Sequence, residues 1–340
     1  MKIKLLSDNE LSSWNDYVEI NPLSSFCHRA EWKSIIETSY NLKTHYMYAE
    51  KDGNIVGILP LAEIKSLLFG HTLISTPFCV YGGVCSDSKE ATEMLTEEAT
   101  RLAKDLNVDY LEFRNISDNQ NNWPCKNFYH TFQKEISPDH DTNLNEIPRK
   151  QRAMVRKGIK NNLESVIDND IDRFYHLYSV SVRNLGTPVY PKRYFNMLKE
   201  KFGDDCEILT IIKDDKAISS VLSFYFGDTV LPYYAGGLLQ ARQYKAYDFM
   251  YWELMRRSCE KNIRNFDFGR SIEGTGSYNF KKNWGFKPKK LYYRQLLVGA
   301  KQTPDFSPMN SKYSMYVKIW QKLPLPVANL IGPLISKNLG

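Results

Sequence analysis

Two clusters of cationic side chains are the features of this sequence that most directly suggest chemistry. The first has no acidic residue between Ile147 and Leu163 and includes Arg149, Lys150, Arg152, Arg156, Lys157 and Lys160. The second has no acidic residue between Gly274 and Pro304 and includes Lys281, Lys282, Lys287, Lys289, Lys290 and Arg294. Aromatic residues such as Phe280 and Trp284 are interspersed with the cations of the second cluster. Such a surface suits phosphates together with a stacked ring or sugar, although a run of cations is more often a solvated face.

Composition limits how far this charge argument extends. The chain has 340 residues and a net charge of only +6, with 42% hydrophobic and 25% charged residues. These values are ordinary for a globular protein, and the length suggests two domains. Binding of a polyanion must therefore rest on the two local clusters, and we expect no DNA partner.

The elements that must position these cations follow the same order in both halves of the chain. In the second half the patterns predict strands at 219–226 and 230–235, a helix at 247–258 and a strand at 263–268. In the first half they predict a hairpin at 46–64, a strand at 73–83, a helix at 89–107 and a strand at 108–114. The spacing from Gly83 to Gly237 nearly equals that from Phe113 to Phe268. We interpret this as an internal duplication; two unrelated α/β domains are the alternative.

Four motifs in the second half carry a resemblance to a known family. They are Tyr-Tyr-Ala-Gly-Gly at 233–237, Tyr-Trp-Glu-Leu at 251–254, Phe-Asp-Phe-Gly at 266–269, and Phe-Lys-Lys at 280–282 with Trp-Gly-Phe at 284–286. Their order and spacing resemble the second domain of the FemA/FemB/FemX aminoacyltransferases of the GNAT superfamily. Arg183 with 185–188, and the cations after Pro148, resemble the branch found beside PEP-CTERM/exosortase and exopolysaccharide loci.

The resemblance implies an α/β fold of tandem GNAT-like domains, each a mixed sheet flanked by helices. We expect the first domain at 1–146, the second domain with the active site at 147–300, and a C-terminal helical tail at 301–340. By the same resemblance the tail packs on the first domain. Its apolar stretch at 327–339 leaves open an amphipathic contact with the inner membrane surface.

The resemblance also implies site residues. In this family a lysine that follows a phenylalanine serves the tRNA end and the reacting centre, so the resemblance implies Lys281 and Phe280 as the catalytic residues. Arg183 takes the place of an arginine that faces the acceptor's phosphates. We expect the remaining substrate contacts from Tyr190, Arg193, Tyr233, Tyr234, Arg149, Arg152, Arg156 and Lys282. We predict that Arg183, Tyr234, Phe280 and Lys281 approach one cavity. Asp267 is predicted to orient a neighbouring loop and is given no catalytic role.

The acyl donor is the point on which two enzyme hypotheses differ. Residues 237–245 lack the glycines that hold the pyrophosphate of acyl-CoA at a helix N-terminus in ordinary acetyltransferases. This favours aminoacyl-tRNA as donor, with its acceptor end as partner, and an amine of a peptidoglycan or exopolysaccharide precursor, nucleotide-linked or lipid-linked, as acceptor. An acyl-CoA-dependent N-acetyltransferase acting on a sugar or peptide is the alternative. A non-catalytic precursor-binding protein of polysaccharide export is a third hypothesis.

The remaining sequence features concern location and cofactors. No apolar run reaches the roughly 18 residues of a spanning helix, and the N-terminus does not resemble a signal peptide. The six cysteines are scattered without a Cys-x-x-Cys pair, which favours reduced thiols in the cytoplasm. We expect no bound cofactor and no metal site, because no histidines or cysteines have metal-ligand spacing.

Overall fold

The computed structural model describes residues 1–66, 70–118, 122–302 and 311–338. The chain forms two compact units. The first unit contains Met1–Tyr129, Lys290–Phe306 and Leu334–Gly340, and the second contains His130–Lys289 and Ser307–Pro333. Each unit is built on its own eight-stranded sheet with flanking helices, so the predicted α/β fold with two mixed sheets is confirmed.

Helices and strands occur throughout the described part of the chain. The first half contains β1 (Lys2–Leu5), α1 (Leu11–Ile20), α2 (Glu31–Tyr40), β2 (Lys43–Lys51), β3 (Asn54–Ser66), β4 (Gly70–Ser75), β5 (Cys85–Ser86), α3 (Lys89–Asp105), β6 (Tyr110–Asn115), β7 (Cys125–Lys126), β8 (Tyr129–Glu135), α4 (His140–Glu146), α5 (Arg149–Lys160) and β9 (Glu164–Ile167). The second half contains α6 (Ile171–Leu185), α7 (Lys192–Phe202), β10 (Cys206–Lys213), β11 (Lys216–Phe226), β12 (Thr229–Gly237), α8 (Leu239–Gln243), α9 (Ala246–Glu260), β13 (Asn265–Asp267), β14 (Ser271–Ile272), α10 (Gly276–Asn283), β15 (Pro288–Lys290), β16 (Tyr292–Leu297), α11 (Ser311–Gln321) and α12 (Leu325–Ser336).

Both sheets share one topology. The strand order is β1-β2-β3-β4-β6-β16-β7 in the first sheet and β14-β8-β13-β12-β11-β10-β9 in the second, with β5 on β3 and β15 on β8. In each sheet an antiparallel meander (β2-β3-β4, or β10-β11-β12) is followed by a helix and a parallel strand (β6, or β13). This repeated order is what the duplication hypothesis predicted.

The strand beside each parallel strand comes from the other half of the sequence. Strand β16 pairs with β6 in the first sheet, and β8 pairs with β13 in the second. The expected boundary between 146 and 147 therefore differs from the structure, in which residues from His130 onward belong to the second unit. An alternating pattern identifies a strand but does not say which sheet it joins.

The two faces of the second sheet carry different helices. On one face, Tyr234 of β12 contacts Tyr178 of α6, and a Cβ at Gly236 would lie 2.4 Å from the Tyr178 Cα. On the other face, Val221 of β11 belongs to a buried cluster with Met250 and Leu254 of α9. Side chains alternate across a strand, so α6 and α9 lie on opposite faces of this sheet.

Gly236 allows α6 to approach β12 this closely. Besides the Tyr178 Cα, an added Cβ would lie 2.6 Å from the Leu177 carbonyl oxygen, which is backbone and cannot turn aside. We expect Gly236→Ala to lower the free energy of unfolding by about 1–3 kcal/mol, the usual cost of overpacking. Urea unfolding measures this, with Gly276→Ala as the control because a Cβ there meets nothing within 4 Å. Equal stability of the two variants would contradict the close approach.

The tail differs from its expected packing. Helices α11 and α12 form as the pattern predicted, but residues Ser307–Pro333 belong to the second unit rather than the first. Val317 of α11 lies against Gly186 at the end of α6, and Gly332 of α12 lies against Val189. Gly186 and Gly332 have no side chain, so the tail helices can pack close to the backbone at these two contacts. The spacing of apolar residues in the sequence does not reveal such packing.

Candidate active site

In the first unit, protein groups fill the end of the parallel strand pair β4 and β6. Strands β4 and β6 pair from Thr72↔Tyr110 to Ile74↔Glu112. Beyond this point the Arg114 N–H donates to Ser75 Oγ at 2.8 Å, and the Gly83 N–H donates to the Arg114 carbonyl at 3.0 Å. These contacts occupy the end of β6 with protein groups.

A buried charge network also fills this end of the first sheet. Glu112 is 2% exposed and pairs with Arg114 at 3.0 Å and Lys126 at 2.8 Å, and Gln295 Nε2 donates to it at 2.7 Å. Burial raises the pKa of Glu112, but the charges of Lys126 and Arg114 outweigh burial and lower the pKa to about 2. Because each carboxylate oxygen already has protein donors, this network is structural.

In the second unit, the equivalent parallel strands β12 and β13 separate after two pairs of residues. Strands β12 and β13 pair at Thr229↔Asn265 and Val230↔Phe266, while β12 continues through Gly237. The chain instead leaves β13 through Gly269, at φ 64°, and turns into β14 and α10. The end of β13 is thus the place where backbone and side chains of this unit are available to a ligand.

Lys281 reaches the end of β13 from α10. Its Nζ donates to the carbonyls of Gly269 and Arg270, each at 3.0 Å, and lies 5.6 Å from the centroid of the Phe132 ring. Lys281 lies on a helix whose N-cap, Thr275, accepts from the Tyr278 N–H.

Desolvation is the main influence on this lysine. Burial of the ammonium lowers the pKa of Lys281 to about 7, and the positive charge of Arg270 lowers it further while Asp267 opposes the shift. An ammonium has three N–H donors. Two of them point to the Gly269 and Arg270 carbonyls, and the third has no acceptor among the residues that the structure describes. That donor can stabilise negative charge that develops on a substrate oxygen.

Phe280 holds α10 in place by packing. Its ring lies 5.6 Å from that of Tyr251 on α9 and 6.1 Å from that of Trp284. These contacts continue the buried cluster of the α9 face. In this structure Phe280 is therefore a positioning residue for Lys281.

A polar cavity adjoins the same strand end through Asp267. It has a volume of 260 Å³ and is lined by Gln133, Lys134, Glu135, Thr229, Asn265, Asp267 and Lys289. The buried Asp267 accepts from Gln133 Nε2 at 2.9 Å and from the Gly269 N–H at 2.7 Å. The predicted role of Asp267, to orient a neighbouring loop, is compatible with its bond to the Gly269 N–H. The cavity itself was missed, because β8 and β13 are far apart in sequence.

The predicted tyrosines form a cluster of their own on the α6 face. The hydroxyls of Tyr194 and Tyr234 are 2.8 Å apart, and the Tyr190 ring lies 5.8 Å from that of Tyr234. Tyr233 packs beside Phe224. Arg193 is exposed on α7.

Arg183 lies on the same face as the tyrosines, near the end of α6. Its Nη1 donates to the Leu323 carbonyl at 3.1 Å, so it holds the link between α11 and α12. Its buried Nε has no hydrogen-bond partner among the described residues. Arg183 and Tyr234 are thus on the α6 face, whereas Lys281 and Phe280 belong to the α9 face. One shared cavity for these four residues therefore stays a prediction.

The two cationic clusters of the sequence come together in the second unit. A Cβ at Gly285, just after α10, would lie 3.1 Å from Pro148, the N-cap of α5. Arg149, Arg152 and Arg156 recur at helical spacing on α5, and Arg152 donates to Asn145. Lys282 is exposed on α10. We call the surface formed by Arg149, Arg152, Arg156 and Lys282 the basic surface.

No group of three metal-ligating side chains occurs in the described part of the chain. None of the six cysteines, all of which lie in the described ranges, forms a disulfide; Cys125 is half-buried and the other five are buried.

Comparison with known proteins defines the class. Residues 149–282 match the family model described as an acetyltransferase (GNAT) domain. That range contains α5 and Lys281, so most of the second unit matches a GNAT-type acetyltransferase domain. No curated protein sequence matches the chain.

Solved structures extend the likeness in fold to most of the chain. The superposition with the crystal structure of FemX covers 88% of this chain and 98% of the FemX chain, with a TM-score of 0.68 and 14% sequence identity. The superposition with the C-terminal domain of a putative lysylphosphatidylglycerol synthetase from Agrobacterium fabrum covers 84% of this chain and 91% of that domain, with a TM-score of 0.58 and 11% sequence identity. The superposition with a tandem GNAT protein from the clavulanic acid biosynthesis pathway covers 88% of this chain and 99% of that protein's chain, with a TM-score of 0.51 and 12% sequence identity. The chain thus has the FemX-like fold of two tandem GNAT-like units that the resemblance implied. Membership of the PEP-CTERM branch stays a prediction.

Proposed function

We propose that this protein transfers an aminoacyl group from aminoacyl-tRNA to an amine of a cell-envelope precursor. The observation that carries the proposal is Lys281, which is held by two backbone carbonyls at the open end of β13 with one N–H donor left over. The acceptor amine attacks the ester carbonyl, an N–C bond forms, and the C–O bond to the terminal ribose breaks. The proton lost by the amine balances the proton gained by the ribose hydroxyl. The remaining Lys281 donor stabilises the oxyanion between these two events.

The basic surface supports a tRNA end as the donor's carrier. Its cations lie on α5 and α10, and α10 is the helix that carries Lys281. Arginine side chains on one helix face suit a row of phosphates, which they bind through paired N–H donors. FemX and the lysylphosphatidylglycerol synthetase domain share this fold, which agrees with the proposal.

Helix α5 packs on the start of α9, which supports a donor other than acyl-CoA. In the CoA-dependent mode a helix N-terminus holds the pyrophosphate through free backbone N–H groups. Here α8 occupies the turn before α9, and Gly158 of α5 packs against Phe249 and the Lys245 carbonyl in the first turn of α9. Asn161 also donates to the Tyr244 carbonyl at 2.8 Å.

A donor competition assay tests the proposal. Purified protein is incubated with charged tRNA or with acyl-CoA, in each case with nucleotide-linked or lipid-linked amine acceptors, and loss of each donor is followed. We expect acceptor-dependent loss of aminoacyl-tRNA only. Turnover of acyl-CoA alone would establish the N-acetyltransferase alternative, and tight precursor binding without transfer would establish the binding-protein alternative.

The protonation state of Lys281 gives a pH test of its role. Since the pKa of Lys281 is about 7, the ammonium is lost as the pH rises through neutrality. We expect the single-turnover rate to fall above about pH 7, with a separate acidic limb where the acceptor amine becomes protonated. In Lys281→Arg the guanidinium stays charged, so the basic limb should vanish from the residual activity. A basic limb near pH 7 that persists unchanged in Lys281→Arg would belong to another group and would contradict this role of Lys281.

A further inference from the structure

The two tail helices expose an apolar surface that the transfer chemistry does not use. On α11, Met315, Tyr316 and Ile319 are 62%, 64% and 54% exposed, and on α12, Val327, Leu330 and Leu334 are 41%, 75% and 64% exposed. Six large apolar side chains are thus in water within one short stretch of chain. We call these six residues the tail surface.

The exposure is confined to one side of each helix. On α11 the opposite side is anchored by Val317 against Gly186 and by the buried Trp320. On α12 it is anchored by the buried Ala328 and by Gly332 against Val189. Helical spacing groups Val327, Leu330 and Leu334 on one stripe. The tail surface is therefore the outer face of helices that are already packed, and it is not a core left without its partner.

The charged side chains of the tail segment itself are all positive. Between Phe306 and Gly340 the sequence has lysines at 312, 318, 322 and 337 and no acidic residue. Lys318 and Lys322 are exposed and follow Met315 and Ile319 at helical spacing, so they flank the apolar stripe of α11. Long lysine side chains can keep their charge at the polar boundary while the neighbouring apolar residues enter an apolar layer.

We propose that the tail surface docks the protein onto the surface of an anionic lipid bilayer. Apolar stripes bordered by lysines match the interfacial helices that lie in the headgroup region, and anionic headgroups complement the acid-free tail. None of the helices in the described ranges has the length and apolar character needed to cross a bilayer. Docking is therefore peripheral, and it is independent of which acyl donor the active site uses.

Vesicle co-sedimentation tests this proposal. Full-length protein is mixed with vesicles of phosphatidylcholine alone or of phosphatidylcholine with phosphatidylglycerol, at low and high salt. We expect binding to the anionic vesicles that weakens with salt. The double variant Ile319→Gln/Leu330→Gln should bind at least about tenfold more weakly, since two apolar side chains no longer leave water. Lys318→Gln/Lys322→Gln should lose mainly the preference for anionic vesicles.

A matched control separates docking from folding. Ile20 of α1 is 80% exposed in the first unit, so Ile20→Gln makes the same chemical change away from the tail. We expect it to bind vesicles as the wild type does, and all variants to share one unfolding midpoint. Equal vesicle binding by the wild type and Ile319→Gln/Leu330→Gln, or no binding to either vesicle, would overturn the proposal. So would a wild-type dimer in size exclusion that the double variant converts to monomer, because the tail surface would then cover a second copy.

Discussion

Lys281→Ala is expected to lower the rate of aminoacyl transfer on the order of 10²-fold or more, the usual scale for one preorganised charge-stabilising donor. The loss should fall on the chemical step, because the free donor of Lys281 matters only once charge develops on the substrate oxygen. Single-turnover transfer from charged tRNA measures this step directly.

Two further variants make the result specific. Lys281→Met keeps the length of the side chain and its contact with the Phe132 ring while removing the donors, so it should be as slow as Lys281→Ala. Lys216→Ala removes an exposed charge at the hairpin between β10 and β11 and should leave the rate unchanged. A Lys281→Ala enzyme with the wild-type rate and an intact fold would remove Lys281 from the mechanism.

Glu112→Ala is expected to lower the free energy of unfolding by about 3–5 kcal/mol at neutral pH. The substitution leaves the buried Arg114 and the nearly buried Lys126 without their shared carboxylate, and an uncompensated buried charge costs about this much. Denaturant unfolding measures the change. Glu98→Ala breaks the more exposed pair with Arg101 and should cost less than about 1 kcal/mol.

The lowered pKa of Glu112 predicts how the stability difference between the wild type and Glu112→Ala depends on pH. The pKa of Glu112 in the folded protein is about 2, below its ordinary value of 4.5, so the folded state favours the ionised form. The stabilisation is complete above the unfolded-state pKa and is lost as the pH falls through the folded-state pKa. The gap between wild type and Glu112→Ala should therefore shrink between about pH 4.5 and pH 2. A gap that is constant over this range would show that packing, and not charge, is what Glu112 supplies.

Local patterns were sufficient to predict most of the secondary structure. The alternation at 230–235 corresponds to β12, and the apolar spacing after Tyr247 corresponds to α9. Both depend on residues near in sequence, as helix and strand periodicity do. Lys281 was identified by its motif, but its helix was not, because the eight residues of α10 are too few for a clear helical period.

Long-range pairing accounts for what the sequence did not reveal. The exchange of β8 and β16 between the sheets moved the domain boundary, and it also created the polar cavity between Gln133 and Asp267. Arg183 was predicted to share a cavity with Lys281, which stays a prediction, and the alternation of β12 puts α6 and α10 on opposite faces of the sheet. Tyr234 and Ala235 are neighbours in β12 and therefore point to opposite faces of the sheet. The sequence alternation thus already indicated that their surroundings differ.

Aminoacyl transfer through Lys281 is tested most sharply by the mass of the acceptor after one turnover with charged tRNA. Wild-type protein should add the mass of one aminoacyl residue to the acceptor amine. Lys281→Met, with an unchanged unfolding midpoint and unchanged acceptor binding, should add almost none in the same time. An acceptor that gains an acyl mass only when acyl-CoA is supplied, or that gains the aminoacyl mass equally with Lys281→Met, would contradict this mechanism.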